Sequence, residues 1–243
     1  MSKKDFSFIL YSFLSWRILL FVILFFAVKN VTLQQNFLGG GTQAYLKSPW
    51  LWAWANFDGE HYLSIAKEGY HLAEQAFFPL YPLLIKLLDG GVWSGLIISN
   101  ASFFLALVGL YKLLRIDYSV KVAKLAVILL LVFPTSFYFG AVYTESLFLC
   151  FVVWSFYFYR KENYLLSGIL GAFASATRVI GVILLPIYLT ELFFRKKNLL
   201  HTTYYILLIP LGLLAYMFYL YKVYGDPLMF LHTLPAFGEQ RSP

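Results

Sequence analysis

The chain has 243 residues, of which 60% are hydrophobic, 21% aromatic and only 13% charged, with a mean hydropathy of +0.71. Soluble domains are about 45–50% apolar and about 25% charged, so an ordinary soluble domain is excluded, and an all-α, polytopic integral membrane protein is expected. The net charge of +7 does not point to nucleic acid, because the basic residues sit in short loops between apolar runs, where they act as topology signals.

The first run, 6-FSFILYSFLSWRILLFVILFFAV-28, is long enough to cross a bilayer core, which takes about 20 helical residues. It is too long, and too poor in small residues at its end, for a cleaved signal peptide. Arg17 inside it needs a partner or a wet cavity, although Trp16 beside it is also an interface marker.

An external loop over 30–91 follows, expected to carry short interfacial helices. Its stretch 56-NFDGEHYLSIAKEGY-70 gathers acids and a histidine in an otherwise apolar chain. The Asp-Gly pair is a turn signal, and the residues after it read as a short helix ending at Gly69. Asp58 suits two tasks equally: capping that helix, or taking a proton from an acceptor hydroxyl just outside the bilayer. Glu60 in the first turn favours the helix dipole or assists the base. His61 reads first as a hydrogen-bonded structural residue and second as a phosphate or sugar contact. The segment 77-FFPLYPLLIKLL-88 is too short to span and carries two prolines, so an interfacial or re-entrant helix is expected.

Further crossings are expected at 92–114, 122–141, 144–160, 164–177, 179–194 and 202–224, which with 7–28 makes about seven. Cys150 lies within 147-LFLCFVVW-154 as the single cysteine. It cannot form an intrachain disulfide, and no Cys/His metal spacing is present. In 142-VYTES-146, Glu145 begins a crossing, with Thr144 as a candidate cap. The run 164–194 fits one tilted helix or two short ones meeting near Arg178. An Arg within an apolar run costs at least about 2.5 kcal/mol at a helix centre. It is therefore expected to pair, with Glu145 as one choice, or to bind a phosphate bidentately.

Basic residues set the orientation. With Lys3 and Lys4 in the cytoplasm, the cytoplasmic loops hold Lys112, Arg115, Lys121 and Lys124, then Arg160 and Lys161, then Arg195, Lys196 and Lys197. The two-helix reading of 164–194 keeps that last cluster inside. The acids Asp58, Glu60, Glu68, Glu74, Glu145, Asp226 and Glu239 then fall mostly on the far face. There the segments 56–75, 142–146, 175-SATRVIG-181 and 225-GDPLMFLH-232 are expected to share a site.

The stretch WANFDGEHYLSIAKEGY followed by AFFPLYPLL, then FPTSFYFGAVYTESLF, GILGAFASATRVIGVILLP, and YGDPLMFLH with FGEQRS, resembles the Pig-V-type mannosyltransferases over roughly 50–240. The resemblance implies a fold similar to the GT-C glycosyltransferases. It also implies a polyprenyl- or dolichyl-phosphate sugar donor, an inverting transfer to a glycolipid or cell-surface acceptor, and no cofactor, nucleotide or metal. The family's essential external-loop acid matches Asp58. Its donor phosphate is met by basic groups at the outer face, best matched by Arg178. The expected catalytic residues are thus Asp58 and Glu60, and the substrate contacts His61, Tyr62, Glu145, Arg178 and Asp226. Relatives often place Pro-Asn or Pro-Thr after the Thr-Arg, whereas Val179-Ile180 stands here, so no proline enforces a break at Arg178. The chain stops at 238-GEQRSP-243 where relatives continue, which reads as a truncated or shortened form of a single transmembrane domain. The expected location is the plasma membrane of a prokaryote or the endoplasmic reticulum membrane of a eukaryote, with the active site external. The alternatives are a lipid or solute transporter, and a non-catalytic subunit of a membrane glycosyltransferase.

Overall fold

The computed structural model describes residues 1–32, 42–195 and 199–237. The expectations placed on Lys196, Lys197, Glu239 and 238–243 lie outside these. The described residues contain helices and no strands. In chain order the helices are α1 (Lys3–Asn30), α2 (Thr42–Lys47), α3 (Pro49–Trp52), α4 (Asp58–Glu68), α5 (Leu80–Leu88), α6 (Val92–Leu114), α7 (Val120–Val132), α8 (Glu145–Arg160), α9 (Tyr164–Thr177), α10 (Leu184–Arg195), α11 (Leu199–Ile206), α12 (Leu211–Tyr224) and α13 (Met229–His232).

Among the described residues, three helical stretches are long and apolar enough to cross a membrane: α1, α6 and Thr203–Tyr224, while Tyr164–Thr177 and Val179–Phe194 are apolar but shorter. Helix α1 has 28 residues, about 42 Å at 1.5 Å per residue, against a hydrocarbon core of about 30 Å. Its outward side chains, including Ile18, Leu19, Ile23 and Phe26, are exposed, the surface a bilayer covers and water does not.

The expected crossing at 122–141 is not one helix. Helix α7 ends at Val132 and Phe133 turns extended (φ −63°, ψ 136°), because the ring of Pro134 disfavours a helical Phe133. The chain continues as a 3-10 turn over Ser136–Gly140, pinned to α1 where Trp16 Nε1 donates to Ser136 Oγ (3.1 Å) and Arg17 Nη1 to the Gly140 carbonyl (2.9 Å). The Arg17 guanidinium also lies over the rings of Trp54 (4.2 Å) and Phe21 (4.7 Å). It therefore clamps α1 to the loop below α4.

The break at Arg178 exists without a proline. Helix α9 ends at Thr177, Arg178 is extended (φ −152°, ψ 141°), and a 3-10 turn over Val179–Ile183 leads into α10. Gly181 makes this possible: a Cβ there would meet the backbone of Ala174 and Ser175 at 2.5 Å. The chain folds back so closely on α9 that only glycine fits. Gly181→Ala is therefore expected to destabilise the protein by about 1–3 kcal/mol through overpacking, read as a lowered thermal midpoint in detergent. An unchanged midpoint would mean that the turn relaxes freely.

Small residues also let α9 and the α11–α12 stretch approach, as side-chain-poor transmembrane interfaces do. Gly168 faces Tyr205, Gly171 faces Ile209, and Gly212 faces Ala172 and Ser175. Buried clusters fill the remaining interior, one of them around Trp54, Tyr62, Tyr81, Ile85 and Val142. That cluster anchors α4 and α5 against the start of α6 and the 141–147 segment.

The contacts sort the charged residues to two ends. The loops at one end bring Asp5 to Lys124 (3.1 Å) and Asp117 to Arg160 (2.7 Å). The other end holds α4, the start of α8 and the end of α9, where His61–Glu74 (3.1 Å) and Arg178–Glu145 (2.6 Å) pair.

Candidate functional site

The chain reaches Asp58 through a strained residue. Phe57 has φ 54° and ψ −120°, a conformation that non-glycine residues adopt at a cost of about 1–3 kcal/mol and that clusters at functional sites. Asn56 Oδ1 holds it by accepting the Phe57 N–H (2.9 Å), and the Tyr143 hydroxyl donates to the Asn56 carbonyl (2.9 Å). The Val142 N–H donates to the Trp54 carbonyl (2.8 Å). Gly59 completes this approach, since a Cβ there would lie 3.2 Å from the Val142 carbonyl. The Asp-Gly pair, which opens α4, is thus a docking point for the 142–143 segment.

Asp58 is the first residue of α4 and not its cap. Phe57 holds the cap position, with no side-chain cap bond. The carboxylate is therefore not spent on the helix end. It opens to solvent on one side while packed protein encloses the rest. Burial raises its pKa above the ordinary carboxylate value, helped by the charge of Glu145 and opposed by His61 and Arg178. These groups lie within electrostatic reach of one another although they come from different segments.

Thr144 is the joint of the site. It stands at the cap position of α8 but makes no side-chain cap bond. Its Oγ1 instead meets the buried Tyr62 hydroxyl (3.3 Å) and accepts from Arg178 Nη1 (3.2 Å). The same Nη1 donates to Glu145 Oε1 (2.6 Å). One nitrogen makes both bonds, so the half-open guanidinium keeps further donors for an anion. Glu145 Oε2 is buried with no hydrogen-bond partner among the described residues, an acceptor left for a hydroxyl.

No family model, curated protein or solved structure matches the chain. Any functional reading therefore rests on the chemistry of this cluster and on the motif resemblance.

Asp58, Tyr62, Glu145 and Arg178 gather around Thr144. Glu60 lies half-buried on the same first turn of α4. His61 stands on its flank, stacked on Phe77 (4.7 Å between ring centres) and bonded to the buried Glu74 (3.1 Å). Glu74 also accepts the His71 N–H (3.0 Å), so the structural role weighed for His61 is filled.

Asp226 does not join the cluster. It caps the turn after Gly225 by accepting the Leu228 N–H (2.9 Å) and pairs with His232 (2.6 Å). Both of its carboxylate oxygens serve this local turn. The 225–232 segment still borders the site, through Phe230 packed on Phe78 and Tyr216.

Thr144, Tyr143 and Glu74 were not among the residues expected to act here. The signal for Thr144 was present in VYTES, where a hydroxyl before the first helical acid passes for a cap. Tyr143 lay in the VYTES segment expected at the site, with no role of its own assigned.

Beside the cluster, α4 and α5 face α9 and α12 across an apolar groove of about 610 Å³. Its walls include Ile65, Leu80, Leu83, Phe173, Tyr216 and Tyr219, and its lining cation is Lys86. The volume falls in the range of small-ligand pockets, about 300–1,000 Å³.

If Asp58 acts as a base, its raised pKa predicts an acid limb in the rate profile. As pH falls through the raised Asp58 pKa the carboxylate protonates, so activity is lost above the ordinary carboxylate range. Glu145→Gln removes a like charge and releases Arg178, and both changes favour the ionised Asp58. The limb is therefore expected to move to lower pH in that variant. A limb that stays in place would detach Asp58 from the titration.

Proposed function

We propose that the protein is an integral membrane glycosyltransferase of the GT-C type. It moves a hexose, mannose by the motif resemblance, from a polyprenyl- or dolichyl-phosphate donor to a hydroxyl of a lipid-linked or cell-surface acceptor. The observation that carries this reading is an aspartate with raised proton affinity, not engaged as a cap, beside an arginine with donors to spare. An apolar groove of hydrocarbon character lies along the same helix.

In this reading Asp58 takes the proton of the acceptor hydroxyl as that oxygen attacks the anomeric carbon. The bond from that carbon to the phosphate oxygen breaks, and the configuration inverts. The leaving lipid phosphate gains negative charge, which Arg178 balances, with His61 near the flank. Glu60 orients the acceptor, and the free oxygen of Glu145 receives a sugar hydroxyl. Tyr62 holds Thr144, and through it Arg178, in place. General-base catalysis supplies about 10²–10⁴-fold, so positioning and phosphate stabilisation carry the rest. The groove holds a stretch of the lipid chain.

The proposed topology has seven crossings, with the basic loops cytoplasmic and the acidic cluster external. The membrane is the plasma membrane in a prokaryote or the endoplasmic reticulum in a eukaryote. Gathering the acids at one end, away from the bundle midpoint, argues against a transporter with midplane ion sites. The test is transfer by the purified chain from a radiolabelled polyprenyl-phosphate hexose to extracted membrane glycolipid. Labelled product from the chain alone supports the reading. Product that appears only with a second membrane subunit would replace it with a non-catalytic role.

A further inference from the structure

At the end of the bundle opposite the acidic cluster, a cavity of about 420 Å³ opens between the start of α1, the end of α6 and the end of α8. Lys112, Arg115 and Lys161 line it, with the phenols of Tyr111 and Tyr157 and the hydroxyl of Ser2. Apolar Ile116 and Val120 form another part of the wall.

The nearby acids are bound to partners other than these three cations. Asp5, which also lines the cavity, accepts from Ser2 Oγ (2.6 Å) and pairs with Lys124 (3.1 Å). Asp117 is held bidentately by Arg160 (2.7 Å for both bonds). Arg115 donates to the Tyr118 carbonyl, and Lys112 lies 5.2 Å from the Trp154 ring. Among the described residues none of the three lining cations pairs with a carboxylate. The cavity therefore holds three lining cations against the one carboxylate of Asp5, with the Tyr157 phenol and a part-apolar wall. It lies at the ends of α1 and α6, which are long enough to span a bilayer. That is the level at which phospholipid phosphates sit.

We propose that this cavity binds the phosphate of an anionic phospholipid, held by Lys112, Arg115 and Lys161, with Tyr157 donating to its oxygens. Ile116 and Val120 meet the start of the acyl region. Basic residues clustered at the end of a spanning helix recognise anionic headgroups in this way. The site is independent of the sugar-transfer reading.

The test reconstitutes the full chain in nanodiscs of phosphatidylcholine with graded phosphatidylglycerol. Retained lipid is measured by native mass spectrometry and stability by thermal midpoint. The wild type is expected to retain phosphatidylglycerol in preference to phosphatidylcholine and to gain stability from it. Lys112→Gln and Lys161→Gln are each expected to weaken retention about five-fold. Lys121→Gln, at the same end but outside the cavity lining, serves as the control and is expected to match the wild type. No preference for phosphatidylglycerol, or equal loss in the Lys121 control, would overturn the site. Equal stabilisation by inorganic phosphate in pure phosphatidylcholine discs would overturn the lipid assignment and leave a soluble anion in its place.

Discussion

Asp58→Asn is expected to abolish the proposed sugar transfer, by about 10²–10⁴-fold, while the protein stays folded. The two halves of this expectation come from the same geometry. Asparagine keeps the size and polarity of the side chain but has no proton affinity to offer an attacking hydroxyl. The fold loses little, because Asp58 makes no cap bond and sits at the first position of α4, where Phe57 takes the cap. The raised pKa shows that the ionised carboxylate is held at a cost and not stabilised by its surroundings. A neutral isostere is therefore expected to leave the stability near that of the wild type. The checking measurements are turnover with a lipid-phosphate hexose and the thermal midpoint in detergent. Normal turnover in a folded Asp58→Asn protein would refute the base assignment.

The Arg178–Glu145 pair is expected to separate structure from function when its members are removed singly and together. Arg178→Gln strands a carboxylate whose other oxygen is already buried without a partner. Breaking a fully buried pair costs about 3–5 kcal/mol. Both side chains here remain partly open, at 42% and 30% exposure, so screening brings the expected loss to about 1–2 kcal/mol. Turnover is expected to fall about 10²–10³-fold, the effect of deleting one donor to developing charge. The double variant Glu145→Gln with Arg178→Gln leaves no stranded charge, so stability is expected to return while turnover does not. If stability and turnover recover together, Arg178 is a packing residue and the phosphate role falls.

Much of the fold was legible because the signals are local. A short helix after Asp58-Gly59, ending at Gly69, followed from a turn signal and a terminal glycine; α4 ends there but begins two residues earlier, at Asp58. The interruption near Arg178 was one of two readings of an over-long apolar run, and the charge count of the following loop chose it. The reason it forms was not legible. Gly181 acts through contact with Ala174 and Ser175, and a glycine inside an apolar run does not announce which backbone it touches. The 122–141 stretch misled because hydropathy stays high through 133-FPTSFYFGA-141, while Pro134 ends the helix and a 3-10 turn takes over.

The site divides along the same line. The acids of the first loop stood out by composition, and Arg178 by its cost in an apolar run. Thr144 passed for a cap, because a residue type at a helix start has one local use and many distant ones. The structure takes Thr144 away from its helix to serve Tyr62 and Arg178, and gives Asp226 a local turn.

By itself, the sequence determined a helical chain of membrane type and set most basic and acidic residues apart along it, but it offered about seven crossings where three helical stretches among the described residues are long and apolar enough to span. Hydropathy and charge sum over neighbouring residues, so these properties need no knowledge of the fold. Only the tertiary structure decided which acid pairs with which base, and that Asp58 stays uncommitted. It also decided where an apolar groove and a positive cavity open. Those outcomes depend on side chains meeting across 33 to 82 residues of chain, and the meeting is set by helix packing that no local pattern encodes.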